Sequence, residues 1–437
     1  MQANGSRLPS PWLAGHRTDG SSLRGDLDVE IAVIGAGYTG LSTALELRAD
    51  GREVAVLEAE FAGFGASGRN AGHLTPTIGK DVPTLVRVFG RRRARDLLGL
   101  AEIAIRYVEE RIALHGIACD YAPVGNVIAA VHERQHAAVD RAAHAAAELG
   151  AHGSLLDGRE MRRRGLPAAF TRGFLEPLGG ILDPGRYVGG LRDAAVRAGA
   201  SLFEHTPIVR VERGAPFVLH TPSGRVRARR VVLATNAWTP TLGFLGSTIL
   251  PMWVQLFRTA PLSPAQRAAV GWAGGEGIYT AHEMLESYRL TADGRIVGGA
   301  KYVRYGFGGR PVADADPEVA ARLEEIFRRR FPELGDVAIT DHWGGRIAFA
   351  LDFLPAVGRT GPEDSLLYAV GYAGHGVALA TYAGRMIADL LAGRAGPGAA
   401  LWARRRIPLP PEPLRWLVVH GLTTIFGRID RRVDRAQ

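Results

Sequence analysis

Residues 28–34 (DVEIAVI) are a short, β-branched and largely apolar run, the texture of a strand buried on both faces of a parallel sheet. The run breaks at the glycine-rich GAGYTG, resumes with helical periodicity over LSTALELRADG, and closes at Gly51. A second apolar strand, EVAVLE, then ends at Glu58. The pattern predicts a β-α-β unit. Three later stretches have related texture. Residues 191–212 read as a helix, a stop at Gly199 and a strand; residues 223–236 read as a turn and an apolar strand; residues 366–394 read as an apolar strand, a glycine-rich turn and a helix with small residues on one face. Between them, residues 81–150 are helix-like and rich in alanine and arginine, whereas residues 245–310 alternate, with a turn signal at Ala292-Asp293-Gly294, and suggest antiparallel strands. After the breakers Pro408, Pro410, Pro411 and Pro413, residues 414–432 run helix-like again. No internal repeat is apparent.

The first unit carries chemistry. Gly35, Gly37 and Gly40 stand at G-x-G-x-x-G spacing between strand and helix, with an acid, Glu58, 18 residues after the last glycine. The first glycine permits a tight turn, the second lets backbone approach a pyrophosphate, and the third lets helix pack closely on strand. The helix N-terminus presents unpaired N–H groups and a partial positive charge to phosphate. Glu58 is placed to accept hydrogen bonds from ribose hydroxyls and to disfavour a 2′-phosphate. These features predict a dinucleotide site on an α/β fold: a Rossmann-type domain interrupted by a second domain built on a mostly antiparallel sheet. The textures divide the chain into an N-terminal arm (1–27), three pieces of nucleotide-binding domain (28–80, 151–244 and 336–400), two pieces of an α+β substrate domain (81–150 and 245–335) and a tail (401–437).

Composition narrows the classes. At roughly 150 residues per domain, 437 residues suggest two or three units, and 46% apolar with 22% charged residues excludes a disordered chain. The net charge of +9 comes from positives spread along the sequence, so nucleic acid is not an expected partner. A single cysteine, Cys119, excludes an intrachain disulfide framework and a cysteine-built metal centre, and no metal is expected. No secretory leader and no spanning segment of 18 uncharged apolar residues is seen, which gives a cytoplasmic expectation. In the tail, Leu414, Val418, Leu422, Ile425 and Ile429 share one helical face, with Arg415, Arg428, Arg431 and Arg432 elsewhere. Such a helix either packs on its own protein or a second subunit, or lies on an anionic membrane.

Nicotinamide and flavin enzymes share the opening unit. Directly after Glu58, residues 63–73 (GFGASGRNAGH) form a second glycine-rich loop. Together with LEAE, GGILDPGRYVGGL, VVLATNAW, WGGRIAFALDFLPAVGR and GYAGHGVALATYAGRMIA, in that order over residues 28–394, the chain resembles the FAD-dependent oxidoreductases of the D-amino-acid oxidase superfamily, which includes glycine and sarcosine oxidases. Within it the motifs are most similar to the gamma-glutamylputrescine oxidoreductase-like branch. A hydroxylase-type monooxygenase would carry a Gly-Asp motif where this chain reads AVGYAGHG, and a nicotinamide dehydrogenase would not explain GASGRNAG.

The resemblance implies FAD, with no covalent link, because Cys119 and His73 do not stand at matched attachment positions. It implies that Gly35, Gly37, Tyr38, Thr39 and Gly40 hold the pyrophosphate and that Glu58 and Ala59 hold the ribose. Gly65, Ala66, Ser67, Arg69, Asn70, Ala71 and Gly72 run towards the flavin, with Arg69 alternatively a surface arginine. Val209, Thr235 and Asn236 pass the nucleotide or simply pack their strands. Gly374, His375, Gly376 and Val377 present backbone amides and a helix N-terminus to the flavin pyrimidine, with a side-chain catalytic role for His375 as the alternative. Arg346 matches an arginine that pairs with a substrate carboxylate, and Lys301 a lysine that promotes oxygen reduction; both are also readable as structural. Tyr288 and Tyr302 are candidate pocket walls or strand aromatics, and Trp238 and Trp343 read as core. The activity implied is oxidation of a primary or secondary amine, or an amino acid, to an imine that water hydrolyses, with oxygen or another acceptor reoxidising the flavin. Orientation of the carbon over flavin N5 matters more there than an acid–base pair. Oxidation of a non-amine C–H donor and a non-catalytic FAD-binding role are the alternatives.

Overall fold

The strand Leu27–Ile34 runs parallel to Val54–Leu57 on one side and to Gly224–Leu233 on the other. The helix Tyr38–Ala49 crosses between the first two strands, which completes the expected β-α-β unit. The computed structural model describes residues 9–16, 20–398, 401 and 407–436. Around the opening unit a sheet of eight strands is built in the order Ala356–Thr360, Leu366–Val370, Gly224–Leu233, Leu27–Ile34, Val54–Leu57 and Ser201–Phe203, with Phe217–Thr221 and Arg210–Glu212 added antiparallel off Gly224–Leu233. Its central strands end in fully buried residues such as Ile31, Val33, Val56 and Val232. The helices Tyr38–Ala49, Val82–His115, Pro184–Arg197 and Gly376–Leu391 contribute to one core with them.

A second sheet, also of eight strands, runs Ile339–Phe349, Leu250–Thr259, Ile296–Arg304, Ser287–Leu290, Gly277–Thr280, Asn126–Ala130, Arg172–Glu176 and Ser154–Leu156. Its neighbours are antiparallel except Gly277–Thr280 beside Asn126–Ala130. The helix Pro317–Arg330 seals it through Val319, Leu323 and Phe327. The N-terminal segment is a strap on the glycine-rich loop: Ser10 Oγ donates to the Gly68 carbonyl at 2.5 Å and Trp12 Nε1 to the Asn70 carbonyl at 2.9 Å.

The sheets divide the chain differently from the expected boundaries. Strands Ser154–Leu156 and Arg172–Glu176 hydrogen-bond to the second sheet, although they fall inside the stretch 151–244 assigned to nucleotide binding. Strand Ile339–Phe349 pairs with Leu250–Thr259, not with the strands of the 336–400 piece. Helix Val82–His115, inside the stretch 81–150, packs into the nucleotide-binding core. Sequence texture cannot reveal these, because hydrogen bonds between distant strands decide sheet membership.

The last helix spans Leu414–Asp434. It rests on the second unit through the face opposite the expected apolar stripe: Asp430 accepts from the backbone N–H groups of Glu283 and Met284 at 2.9 and 3.0 Å, and Asp434 pairs with Arg330 at 2.7 Å. The residues before Leu409 that complete the tail fall partly outside the described residues. Among the described residues, no helix is long and apolar enough to cross a membrane.

Candidate active site

A cavity opens at the C-terminal ends of the parallel strands, where ligands of open α/β sheets bind. It runs from Glu58 and Ala59, past Gly35, Gly37 and Thr39, to Tyr372, Gly374 and Val377. Gly35 has φ +103°, and a Cβ on Gly40 would lie 1.8 Å from the Gly35 carbonyl oxygen, so the helix start can close on the turn only with glycine there. The turn is tied at both sides. Ala36 N–H donates to Glu58 Oε2 at 2.7 Å, and Tyr38 N–H donates to Ser67 Oγ at 2.9 Å. Burial raises the Glu58 carboxyl above its ordinary value, opposed by the backbone donors of Ala36 and Glu60. Thr39 Oγ1 and the Tyr372 hydroxyl lie 2.7 Å apart and join the opening helix to the late turn.

A second cavity of about 370 Å³ adjoins the first. They share Ala66, Asn70, Ile347, Ala373, Gly374 and Val377, so the two open into one another around the late glycine turn. Asn70 sets the shape of this junction. Its Nδ2 donates to the Ser67 and Ala66 carbonyls and to Tyr38 Oη, and its Oδ1 accepts from Gly72 N–H at 2.9 Å. The far wall is apolar, with Met252, Leu256, Met284, Phe349, Phe353 and Phe426. A profile of the family described as "FAD dependent oxidoreductase" matches residues 30–390. The chain belongs to this family of FAD-dependent oxidoreductases.

Among curated proteins, this flavoenzyme is 32% identical to the gamma-glutamylputrescine oxidoreductase of Escherichia coli (strain K12) over 86% of each chain. It is 30% identical to a probable oxidoreductase, OrdL, of Haemophilus influenzae over 83% of each. Its motifs and its relatives place it in the gamma-glutamylputrescine oxidoreductase-like branch. In fold it is similar to glycine oxidase from Geobacillus kaustophilus, with a TM-score of 0.73 at 21% identity over 87% of this chain and 100% of that one. The L-amino acid deaminase from Proteus vulgaris gives 0.69 at 20% identity over 89% and 96%. FAD is therefore its cofactor, and the first cavity fits that group: a glycine turn that side chains would fill, a helix N-terminus, a half-buried carboxylate at one end and a second helix N-terminus, at Gly376, at the other.

Most residues expected at the cofactor line this cavity: Gly35, Gly37, Tyr38, Thr39, Glu58, Ala59, Gly65, Ala66, Ser67, Asn70, Thr235, Asn236, Gly374, Gly376 and Val377. Gly40 supports it from behind. Ala71, Gly72 and His375 line the second cavity instead. Arg69 also lines the second cavity and is neither a surface residue nor part of the dinucleotide cleft. Its Nε donates to the Phe64 carbonyl at 2.8 Å, and its Nη1 pairs with Asp314 at 2.5 Å and donates to the Gly344 carbonyl at 3.1 Å, which pins the loop to the second unit. Val209 is displaced from its expected place: it is 65% exposed and its N–H bonds the His220 carbonyl at 2.9 Å, while Thr206, Pro207 and Ile208 line the cavity.

Arg346 lines the second cavity beside the shared Ile347. Its guanidinium lies 4.6 Å from the Trp253 ring centroid and 5.4 Å from that of Trp238, and it makes no ion pair among the described residues. Burial lowers its pKa from the ordinary value. Trp238 is thus a cavity wall and not simply core, whereas Trp343 is buried with its Nε1 donating to the Arg69 carbonyl at 2.8 Å. His375 Nδ1 lies 3.1 Å from the Ala373 carbonyl. A carbonyl only accepts, so the proton sits on Nδ1 and Nε2 keeps its lone pair. Burial lowers the His375 pKa and favours this neutral form.

Lys301 does not reach either cavity. The strand bulges where Gly299 and Ala300 both take positive φ, so Ala300 faces the cavity and Lys301 turns to the other side. There its Nζ pairs with Glu286 at 3.0 Å and Asp434 at 3.5 Å. His282, Glu286 and Asp434 come within 4.8 Å of one another in this cluster, but Lys301 and Arg330 supply its positive charge. Tyr288 is buried with its hydroxyl donating to Glu286 at 3.1 Å, and Tyr302 packs against the second core; neither walls the pocket. The walls not foreseen are His73 and Tyr279, whose rings lie 4.6 Å apart, and Phe426 of the last helix. His73 is locked by Asn126 Oδ1 at 3.1 Å, and burial together with the Arg289 charge lowers its pKa to about 3.

Proposed function

We propose that this flavoenzyme oxidises a primary or secondary amine that also carries a carboxylate, including amino acids, to an imine that water then hydrolyses. The reading rests above all on Arg346, a guanidinium with no ion pair among the described residues, set against Trp253 in the wall of the second cavity. Such a group recognises a carboxylate through two parallel N–H donors. The printed names of the relatives, a gamma-glutamylputrescine oxidoreductase and a glycine oxidase, agree with amine or amino-acid donors.

FAD, when bound, would supply a two-electron acceptor for the hydride of the carbon that bears the amine. Gly35, Gly37 and Thr39 would hold its pyrophosphate and Glu58 its ribose hydroxyls. Ala373, Gly374 and Val377 line both cavities, which supports their holding the ring edge there. The link is non-covalent, because Cys119 is buried outside both cavities and the His73 ring is held by Asn126 and Tyr279.

Arg346 anchors the carboxylate and so fixes which carbon faces the junction; this orientation is the chief contribution of the chain. His375, on the late turn that borders both cavities, keeps its Nε2 lone pair and takes the ammonium proton, so that the neutral amine reacts. The apolar wall of Met252, Phe349 and Phe353 excludes water from the reacting carbon and accommodates a methylene chain. The Lys301 ammonium, sequestered by Glu286 and Asp434, takes no part in reoxidation.

Mixing the FAD-loaded protein anaerobically with separate pools of carboxylated and non-carboxylated amines tests the reading. Bleaching of the flavin band by the carboxylated pool is expected. Failure of both pools to bleach a flavin that dithionite does bleach would refute amine oxidation.

A further inference from the structure

The last helix leaves uncovered the apolar stripe that a packed helix would bury. Leu414, Leu417, Val418, Leu422, Ile425 and Ile429 are each between 37% and 56% exposed, and they account for six of the fifteen exposed large hydrophobic side chains among the described residues. A helix that only needed to pack would turn these residues inward. Here the inward face carries Trp416, Val419, Phe426 and the two acids, Asp430 and Asp434, which are engaged with Glu283, Met284, Lys301 and Arg330.

The charges on the outer side are all of one sign. Arg428, Arg431 and Arg432 are exposed at the C-terminal end of the stripe, and no acid of this helix faces outward. A second copy docking on this face would bring the same arginines to a surface without a countercharge, because a two-fold interface pairs a patch with itself. An anionic lipid surface satisfies both features: acyl chains take the apolar side chains and headgroups take the guanidinium groups. Val418 and Leu422 belong both to this exposed stripe and to the lining of the second cavity.

We infer that the exposed face of helix Leu414–Asp434 docks the enzyme on an anionic bilayer and sets the mouth of the substrate cavity against the lipid surface. The helix lies in the interface and does not cross it, in keeping with its low hydropathy and its charge.

The test is co-sedimentation of the FAD-loaded, full-length protein with phosphatidylcholine vesicles and with vesicles that also contain phosphatidylglycerol. Binding to the anionic vesicles, weakened by added salt, is expected. Leu417→Glu combined with Ile425→Glu should lower partitioning by at least about tenfold. Arg428→Gln and Arg432→Gln should each lower it about fivefold, on anionic vesicles alone. These side chains are solvent-exposed, so retained flavin absorbance and an unchanged Tm would show that the variants fold. Wild-type protein remaining in the supernatant with anionic vesicles at low salt would overturn the inference. So would a concentration-dependent dimer in sedimentation velocity that the Leu417→Glu, Ile425→Glu variant dissociates, which would assign the face to a second copy. Because the readout is vesicle binding, it stands or falls independently of the substrate assignment.

Discussion

The Arg346 guanidinium lies against the indole of Trp253, 4.6 Å from its ring centroid, at the wall of the second cavity. The aromatic surface holds a flexible cation in place without neutralising it, so the guanidinium donors stay available to an incoming anion.

Replacing this group separates substrate recognition from cofactor binding. Arg346→Met should lower kcat/KM for a carboxylated amine by about 100-fold, the worth of a charge-assisted bidentate pair. The decarboxylated analogue should lose little, and the flavin content should not change. Steady-state assays of the matched pair of substrates check this. Arg346→Lys should recover only part of the loss, because an ammonium cannot present two parallel donors.

The approach of helix to turn at the cofactor predicts a different failure. A Cβ on Gly40 would meet the Gly35 carbonyl at 1.8 Å, so Gly40→Ala must push the helix start off the strand. Such overpacking costs about 1–3 kcal/mol and moves the amides that face the pyrophosphate. The ratio of flavin to protein absorbance after gel filtration should fall, whereas Gly421→Ala, on the exposed side of the last helix with open space around it, should leave it unchanged.

Both outcomes concern residues that were legible in the sequence. The glycine spacing, Glu58 and the late turn announce themselves through local order along the chain, and their places in the structure follow. Val209 misleads because residues 204–209 lie between the strands Ser201–Phe203 and Arg210–Glu212, so no alternation fixes their register; the neighbouring Ile208 takes the cavity position. Lys301 misleads because the bulge at Gly299 and Ala300 reverses the alternation just before it. Its partners Glu286 and Asp434, and the Arg330 guanidinium that shares them, come from three other segments, which no local pattern joins. The box of Trp238 and Trp253 around Arg346 is likewise assembled from separate segments. Strand Ile339–Phe349 carries family motif residues yet belongs to the second sheet, through pairing some ninety residues away along the chain.

The N-terminal strap should matter for cofactor retention although it lies outside the dinucleotide cavity. Trp12 donates to the Asn70 carbonyl, packs edge-on against Trp343 at 5.8 Å and lies under the Arg289 guanidinium at 4.8 Å. Trp12→Ala should cost about 3–5 kcal/mol and loosen the loop that Asn70 shapes. A lower Tm with faster release of FAD in a fluorescence assay is the expected result.

Acid stability should depend on the cluster beneath the last helix. Burial would raise the Glu286 carboxyl, but the Arg330 and Lys301 cations outweigh it and hold the group at about 2. A depressed carboxylate contributes its stability fully above the unfolded-state value, near 4.3, and loses it as pH falls towards the folded value. Tm should therefore be flat with respect to this group above about pH 5 and fall below it. Glu286→Gln should flatten that acid limb and, by leaving Arg330 and Lys301 without their buried anion, cost about 3–5 kcal/mol at neutral pH. Differential scanning calorimetry between pH 3 and 8 distinguishes these behaviours.

The central claim is that a C–H bond beside an amine delivers its hydride to the flavin in the junction of the two cavities. Stopped-flow mixing of the oxidised enzyme with a bleaching amine and with the same amine deuterated at the reacting carbon, in the absence of oxygen, addresses it most directly. The account predicts flavin bleaching that slows severalfold on deuteration, with a carbonyl product and released ammonia, or amine from a secondary donor, in equal amounts. A flavin that dithionite reduces but no carboxylated or simple amine does would contradict it.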